Sequence, residues 1–181
     1  MTEDQEIVKL YRDGQSREAF DKIVRTYSER LYWHVRSFGC SHEDSDDLLQ
    51  EIFIKVWNAL PSYRGEAQIF TWLWRIATNE TLNFLGSRRF RFSLSSRSIG
   101  PREEDRSDDD PWFDGDEAQR LLSRALTKLP PKQRAVFSLR YYQDLSYEQI
   151  SEIMGVTVGA LKASYHHAYM KIRSELEGSM G

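Results

Sequence analysis

The chain has 181 residues, of which 40% are hydrophobic, 29% are charged and a single one, Cys40, is a cysteine. This composition indicates one or two small packed domains and excludes both a disulfide framework and a cysteine-rich zinc centre within one chain. No apolar run approaches the ~20 residues that span a bilayer, and the charged N-terminus lacks a signal-peptide core, so we expect a cytoplasmic protein.

Residues 3–38 are predicted to form two helices that Gly14 separates. From about Ser16 onward, apolar residues recur every three or four positions, as they do in a helix that packs against a core. We interpret this stripe, aromatic residues included, as core and not as a cofactor site. It consists of Phe20, Ile23, Val24, Tyr27, Leu31, Val35 and Phe38.

The next predicted helix runs from Ser41 to Leu60, and Pro61 ends it. Acidic residues crowd its first turns, where they suit the positive end of the helix dipole. A metal site is disfavoured because no glycine bend brings these carboxylates together. The predicted core stripe is Leu49, Ile52, Phe53, Val56, Trp57 and Leu60. The opposite face carries one apolar side chain, Ile54, among polar ones, which suits docking on a partner, although a lone exposed isoleucine is often without function.

A loop follows Pro61, and a helix is predicted from Phe70 to about Leu85. Its buried side would be Phe70, Leu73, Trp74, Ala77, Thr81 and Phe84. Its outer side and the segment GSRRFRF (86–92) combine arginines with aromatic rings. Such a surface suits single-stranded nucleic acid, because cations follow the phosphates and each base stacked on a ring contributes ~1–3 kcal/mol. A tryptophan-rich core with a solvated polar face would account for the same residues.

Residues 93–117 have neither helical nor strand periodicity and combine serine, glycine, proline and acidic residues, which is typical of a flexible linker. The segment carries 3 basic and 9 acidic side chains, a net charge of −6. The residues before it sum to −1 and those after it to +4, so the total of −3 conceals a basic C-terminal part.

A second helical unit is predicted from Glu117, with a helix that Pro130 and Pro131 end, followed by a helix over 132–142. The stretch Leu145–Ile172 then indicates two helices joined by a tight turn. Ser146 and Gln149 form a capping-box pattern, Gly155 suits a left-handed turn, and Thr157 can cap the second helix. This is the helix-turn-helix pattern, whose second helix can lie in the DNA major groove. The predicted inward side of that helix is Leu161, Tyr165, Ala168 and Ile172.

Four blocks resemble bacterial RNA polymerase sigma factors of the extracytoplasmic-function type. Region 2 is similar to AFDKIVRTYSERLY, DSDDLLQEIFIKVWNAL and YRGEAQIFTWLWRIATNETLNFL, and region 4 to LLSRALTKLPPKQRAVFSLRYYQDLSYEQISEIMGVTVGALKASYHHA. Together these blocks cover most of residues 18–172. The resemblance implies an all-α fold of two small helical domains, a region 2 bundle at 1–92 and a region 4 helix-turn-helix domain at 118–181, joined by the flexible acidic linker 93–117.

The resemblance also implies three binding surfaces. Core RNA polymerase would bind the set Asp47, Leu48, Gln50, Glu51, Phe53 and Ile54. Single-stranded −10 promoter DNA, with one base flipped into a pocket, would bind the set Tyr63, Arg64, Trp72, Arg75, Asn79, Asn83, Arg88 and Arg89. Double-stranded −35 DNA would bind the set Thr157, Val158, Lys162, Ser164, His166 and His167. An anti-sigma factor is the further partner implied, with no small-molecule substrate, no cofactor, no metal and no catalysis by the chain itself.

The sequence departs from the family pattern in the second helix of the helix-turn-helix. Ser164 stands at an arginine position and His167 at another position that is usually basic. Serine and neutral histidine contact guanine less selectively than arginine does, so we expect the −35 element to be read through other side chains, His166 among them, or through DNA shape. In region 2, Asn83 stands where aspartate is common and Gly86 where a basic residue is common.

Two other functions remain open from the residues alone. An ordinary helix-turn-helix transcriptional regulator, with an N-terminal sensing or dimerisation domain, would bind its operator without polymerase. A carboxylate-dependent nuclease would need convergent carboxylates, a His–Cys pair or a phosphate loop, and the sequence offers no convincing example of these.

Overall fold

The computed structural model describes residues 1–95 and 117–181, and within them the side chains of residues 1–88 and 117–181. Every regular element in these ranges is helical, so the predicted all-α fold is confirmed. The elements are α1 (Glu3–Arg12), α2 (Ser16–Arg36), α3 (His42–Ala59), a 3₁₀ turn (Leu60–Ser62), α4 (Ile69–Ser95), α5 (Glu117–Thr127), α6 (Pro131–Phe137), a π-helical turn (Ser138–Tyr142), α7 (Tyr147–Met154) and α8 (Val158–Ser179).

Helices α1–α4, here called the N-terminal unit, form a bundle in which each helix packs against the next one along the chain. Gly14, with φ +78°, makes the predicted break between α1 and α2. Thr2 and Gln5 form a capping box on α1, and Ser41 caps α3 by accepting from the Asp44 N–H. The interior of the bundle consists of fully buried aliphatic side chains: Ile7, Ile23, Leu31, Ile52, Leu60, Ile69 and Leu73.

The buried side of α3 is rotated by about one residue from the predicted stripe. Its innermost residues are Leu48, Ile52 and Val56. Phe53 is only partly buried and Trp57 is 44% exposed, because both rings lie at the rim of the bundle. There they meet the Phe20 ring edge-on, at centroid distances of 6.3 and 5.2 Å. The sequence places all these apolar residues on one side of a helix, but packing against α2 decides which of them lie deepest.

Helix α4 is longer than predicted. It continues from Ile69 to Ser95 and so includes the segment GSRRFRF. Gly86 does not end it, since a glycine within a helix costs only about 1 kcal/mol and this helix has a long buried side. The predicted inner residues Leu73, Trp74, Ala77 and Thr81 are buried, while Phe70 and Phe84 are partly buried.

Helices α5–α8 form the C-terminal unit, and its helix ends follow the predicted pattern. Ser146 and Gln149 form the capping box of α7, Gly155 ends that helix at φ +67°, and the Thr157 hydroxyl accepts from the Ala160 N–H. The predicted helix over 132–142 begins one residue earlier, and its last turn is π-helical. The side chains buried within this unit are Ala125, Leu126, Leu129, Phe137, Ala168 and Ile172.

The two units touch. Helices α6 and α7 pack against α4, and seven buried residues of the C-terminal unit belong to the same apolar cluster as the interior of the N-terminal bundle. They are Ala135, Val136, Leu139, Leu145, Ile150, Ile153 and Leu161. The predicted linker, 93–117, lies outside the described residues except at its ends, where 93–95 complete α4 and Glu117 begins α5.

Candidate functional site

The outer face of α3 combines carboxylates with exposed apolar side chains. Asp47, Gln50, Glu51 and Ile54 are all exposed, and the Ile54 side chain is 61% accessible. Here they are called the α3 face. Trp57, one helical turn beyond Ile54, adds a second large apolar group that the sequence pattern assigns to the core.

Two of the residues predicted for polymerase binding do not lie on that face. Leu48 is 3% exposed and packs in the bundle interior, and Phe53 is partly buried against α2. The physical reason is the rotation of α3 described above, which turns Leu48 inward. Leu48 therefore supports the α3 face from beneath and is not available to a partner at the surface.

Some of the side chains on the outer side of α4 are open to solvent, and one of them is hydrogen-bonded to α7. Asn79 and Asn83 are exposed, and Asn79 lines a shallow cleft of about 380 Å³ between α3 and α4. Arg75 also has an exposed side chain, but its Nε and Nη2 atoms donate to the backbone oxygen of Glu152 in α7, at 3.2 and 2.8 Å. The predicted outer residues of α4 thus include one cation that already has an acceptor in the C-terminal unit.

The loop between α3 and α4 holds its tyrosine inward. Tyr63 is 8% exposed, its hydroxyl donates to the Ala67 oxygen at 2.7 Å, and its ring lies 5.0 Å from that of the partly buried Trp72. Arg64 is exposed at the tip of this loop, beside Gly65 at φ +76°. Of these predicted DNA-binding residues, Arg64 is accessible without rearrangement, whereas the Tyr63 ring is a structural support.

The arginines at the far end of α4 are only partly described. Arg88 forms an ion pair with Asp44 of α3, with Nη1 and Oδ2 2.8 Å apart. This contact joins the C-terminal part of α4 to the start of α3. The predicted residue Arg89 lies outside the residues whose side chains the structure describes.

The second helix of the helix-turn-helix presents three of its predicted residues to solvent. Lys162, His166 and His167 are exposed, and the Lys162 ammonium lies 5.8 Å from the centroid of the Tyr147 ring. Val158 and Ser164 are partly buried, and Thr157 is exposed while its hydroxyl serves as the cap. The inward residues Leu161, Ala168 and Ile172 are buried as predicted, so α8 turns its candidate DNA-binding side away from the core.

A polar contact that sequence patterns do not reveal joins the two units. Gln143, directly after the π-helical turn, accepts from the Trp74 indole N–H at 2.7 Å and donates to His34 Nδ1 at 2.8 Å. His34 is fully buried, and burial lowers its pKa to about 4, so the ring is neutral near pH 7. Because Nδ1 accepts, the proton is on Nε2, which faces the Thr78 hydroxyl at 3.1 Å.

Two more hydrogen bonds lie beside this contact. The hydroxyls of Ser37 and Ser138 bond to each other, and Arg134 donates to the Phe38 backbone oxygen at 3.2 Å. His34 and Gln143 are 109 positions apart, which is why local periodicity gives no sign of the pair. Here the contact made by His34, Trp74, Arg75, Gln143 and Glu152 is called the clasp.

Neither a metal-binding cluster nor a membrane-spanning helix is found among the residues that the structure describes. Within 1–95 and 117–181, no three histidine, cysteine, aspartate or glutamate side chains come together as a metal site would require. Across the same ranges, no helix has the length and apolar character needed to cross a membrane.

Comparison with known proteins gives matches along most of the chain. Residues 23–91 match the family Sigma-70 region 2, and residues 119–172 match the family Sigma-70, region 4. The RNA polymerase sigma-H factor of Pseudomonas aeruginosa is 28% identical over 97% of this chain and 94% of its own length. The ECF RNA polymerase sigma-E factors of Haemophilus influenzae and Escherichia coli K12 are 28% and 29% identical, over 98% and 96% of this chain and 97% and 94% of their own.

Two solved structures share the fold. One is CnrH in complex with the cytosolic domain of CnrY, with a TM-score of 0.66, 22% identity and coverage of 98% of this chain and 99% of that one. The other is the sigma factor RpoE in complex with the anti-sigma factor NepR from Bartonella quintana, with a TM-score of 0.67, 23% identity and coverage of 87% and 96%. At these identities the likeness concerns the fold alone.

Proposed function

The chain belongs to the sigma-70 family as a sigma factor of the extracytoplasmic-function type, and from this premise we propose how its surfaces divide the work of transcription initiation. It binds core RNA polymerase and directs promoter-specific initiation. The observation that carries this function is the presence of both family regions in one chain, at 23–91 and 119–172. A helix-turn-helix regulator would account for the second region but not for the first.

The α3 face is the proposed docking surface for the polymerase. It offers two exposed apolar side chains, Ile54 and Trp57, beside the charges of Asp47 and Glu51. Apolar groups at the centre of a polar patch are typical of a protein–protein contact, in which the large side chains contribute most of the binding energy. In this assignment Leu48 and Phe53 hold α3 in place, and the residues around them make the contact.

The outer side of α4 is the proposed reader of the single-stranded −10 element. Asn79 and Asn83 can bond to base edges, and Asn79 lines the cleft between α3 and α4. Arg75, Arg88 and Arg89 supply cations for the phosphates, and Trp72 with Tyr63 forms the aromatic support beneath the loop. Flipping a base out of the duplex costs a few kcal/mol, which contacts in such a cleft offset.

Helix α8 is the proposed reader of the double-stranded −35 element. Lys162, His166 and His167 are exposed on it, while Thr157, Val158 and Ser164 lie toward its first turns. The net charge of +4 in residues 118–181 favours approach to DNA without specifying a base sequence. With no arginine in the −35 set, sequence readout rests on weaker side-chain contacts and on DNA shape.

The proposed partners follow from the family. They are bacterial core RNA polymerase, promoter DNA and an anti-sigma factor, since one solved structure of this fold holds the anti-sigma factor NepR. Sigma factors are non-enzymatic, and we assign the chain no catalytic activity and no small-molecule substrate. Because polymerase and promoter DNA are cytoplasmic, the chain acts there.

In vitro transcription tests the function directly. The purified chain is added to bacterial core polymerase with fragments of the source genome, and transcript 5′ ends are mapped. We expect discrete start sites preceded by a shared pair of −35 and −10 sequences. A core preparation that is active with a known sigma factor but gives no such start sites with this chain contradicts the proposal.

A further inference from the structure

We propose that Tyr147 is a positioning residue of the −35 reader, whose ring holds the charged groups of Arg140 and Lys162 where the DNA backbone passes. The inference rests on the proposed function, because it takes α8 as the helix that enters the major groove. All three residues lie within the C-terminal unit, and none of them belongs to the clasp. The inference therefore does not depend on how the two units are placed relative to each other.

The Tyr147 ring is anchored to the interior of the C-terminal unit by a column of aromatic rings. It meets the ring of Tyr165 edge-on, with the two centroids 6.3 Å apart. Tyr165 in turn stacks on the Phe137 ring, at a centroid distance of 5.7 Å and with 10° between the planes. Phe137 is 2% exposed and belongs to the buried cluster of this unit. Aromatic pairs attract each other beyond the burial of their area, so the buried ring determines where the surface ring lies.

Two cations from different elements lie over this one ring. The Cζ atom of Arg140, in the π-helical turn, is 5.3 Å from the Tyr147 centroid, and the Nζ atom of Lys162, in α8, is 5.8 Å from it. A cation within about 6 Å of a ring centre is attracted by the negative face of the π-system. The ring thereby offsets part of the repulsion between the two positive charges, which flexible side chains would otherwise relieve by moving apart.

The ring is the group that restricts Lys162. A lysine has a flexible stem of four carbons, and holding it in one geometry costs conformational entropy. Across residues 1–88 and 117–181, no carboxylate forms an ion pair with Lys162, so the contact with Tyr147 is what places its ammonium. Part of the ordering that DNA binding requires is therefore complete before DNA arrives, which favours binding.

Arg140 is held beside the same ring but can still accept a new partner. Its Nη1 atom donates to the backbone oxygen of Leu145 and to Asp144 Oδ1, each at 3.3 Å. The Asp144 side chain is 94% exposed, so water screens this ion pair and its contribution is small. A DNA phosphate offers the guanidinium two oxygens in matching geometry and can replace Asp144.

The place of the ring in the motif suits contact with phosphates. Tyr147 begins α7, the first helix of the helix-turn-helix, and in this motif the first helix crosses the DNA backbone while the second enters the major groove. Phosphate contacts fix the register of a protein on the duplex, and base contacts then read the sequence. The −35 set contains no arginine, so its weaker base contacts depend on a register that Tyr147 helps to fix.

The first experiment separates the ring from its hydroxyl. Core polymerase is loaded with wild type, Tyr147→Leu or Tyr147→Phe, and binding to a fluorescent fragment of a promoter mapped by in vitro transcription is measured over a salt series. We expect Tyr147→Leu to bind about fivefold more weakly and to reduce the slope of log affinity against log salt by about 1, because the cations no longer meet the phosphates as an ordered pair.

Two controls accompany that variant. Tyr147→Phe keeps the ring and should stay within about twofold of the wild-type affinity. Tyr169→Leu removes a 48% exposed tyrosine from the same helix as Lys162 and should also bind as wild type does. If Tyr147→Leu loses its helical circular dichroism signal, Tyr147→Met, whose flexible apolar side chain fills irregular space, takes its place.

The second experiment tests whether Tyr147 acts through the cations. Tyr147→Leu is introduced into a variant that already carries Lys162→Ala and Arg140→Gln. With both charges absent, removal of the ring should change promoter affinity by less than about twofold, because a coupling energy disappears when the partners are gone. A ring whose only role is to stabilise α7 would instead produce the same loss in both backgrounds.

Three results overturn the inference. They are equal affinity of Tyr147→Leu and wild type, a Tyr147→Phe protein as weak as Tyr147→Leu, and an undiminished loss in the background without the two charges. The second of these would assign the DNA contact to the hydroxyl itself, and all three leave the proposed function intact. Wild type that binds no promoter fragment and gives no start sites with active core polymerase overturns the proposed function, and the role of Tyr147 falls with it.

Discussion

The N-terminal and C-terminal units are stabilised in different ways. The N-terminal unit consists of long helices around a deep aliphatic interior that includes Ile7, Ile23, Leu31, Ile52 and Leu73. The C-terminal unit consists mostly of short helices, buries only a small cluster of its own and completes its interior against α4. The difference indicates that the N-terminal unit is stabilised mainly by its own packed interior. The C-terminal unit is stabilised by helix caps and by its contact with α4.

This difference also fits the work that each unit does. A rigid bundle keeps the α3 face and the α4 surface in fixed positions, as polymerase docking and strand capture require. The C-terminal unit shares buried apolar side chains with α4, so separating the units would expose apolar surface as well as hydrogen-bonding groups.

The largest expected effect tests the packing of the N-terminal unit. Ile52→Ala removes a fully buried side chain and should lower the free energy of unfolding by about 2–5 kcal/mol, because the bundle closes the cavity only in part. Ile54→Ala, two residues along the same helix and 61% exposed, is the matched control. It should change stability by less than about 0.5 kcal/mol while weakening core-polymerase binding. Urea denaturation and a polymerase pull-down measure the two effects, and equal losses of stability would contradict the assigned faces.

The next effect tests the junction between the units through pH. Burial holds the His34 pKa at about 4, below the usual 6.5, so the folded chain resists protonation of this ring. Protonation of His34 therefore does not reduce the free energy of unfolding above pH 6.5. Below that pH the free energy of unfolding falls, and it levels off below pH 4. The loss should be about 2 kcal/mol between pH 7 and pH 5.

Carboxylates also titrate in this window, so a variant must isolate the histidine. Denaturation midpoints of wild type and His34→Gln are compared at pH 7 and pH 5, and the difference between their pH dependences belongs to His34. A wild-type pH dependence that matches the variant would place His34 outside the junction in solution.

Local sequence patterns predict the helices and their caps well. They do not predict the contact between the N-terminal and C-terminal units. The Ser146–Gln149 box, the left-handed Gly155 and the Thr157 cap involve residues within four positions of one another, so local chemistry determines them. Leu48 is buried and Trp57 is exposed because of the way α3 packs against α2. Hydrophobic periodicity predicts which side of α3 is buried only to within about one residue. The Gln143 contacts join residues far apart in sequence.

A smaller effect tests the reliance of the C-terminal unit on its caps. Ser146→Ala removes the hydroxyl that accepts from the Gln149 N–H and should cost about 1 kcal/mol. Because α7 has only eight residues, this loss should speed amide hydrogen exchange throughout that helix. Thr2→Ala breaks the equivalent box of α1 and should affect exchange in α1 alone. Unchanged protection of α7 in Ser146→Ala would mean that α4, and not the cap, stabilises that helix.

The smallest expected effect tests whether one particular lysine of the C-terminal unit contacts DNA, or whether DNA responds only to the net positive charge of the unit. Lys162→Ala should weaken binding to −35 duplex DNA and reduce the slope of log affinity against log salt by about 1, because one released counterion is lost. Lys171→Ala removes the same charge from the same helix, but nine positions further on and beside Gln133. Fluorescence anisotropy over a salt series should therefore show the reduced slope for Lys162→Ala and not for Lys171→Ala.

If both variants lose affinity equally, the DNA responds to the net charge of the C-terminal unit, and the side chains of α8 do not set the position of the helix on the promoter. A change confined to Lys162 would place the first half of α8 against the phosphates, where His166 lies one helical turn away and within reach of the groove.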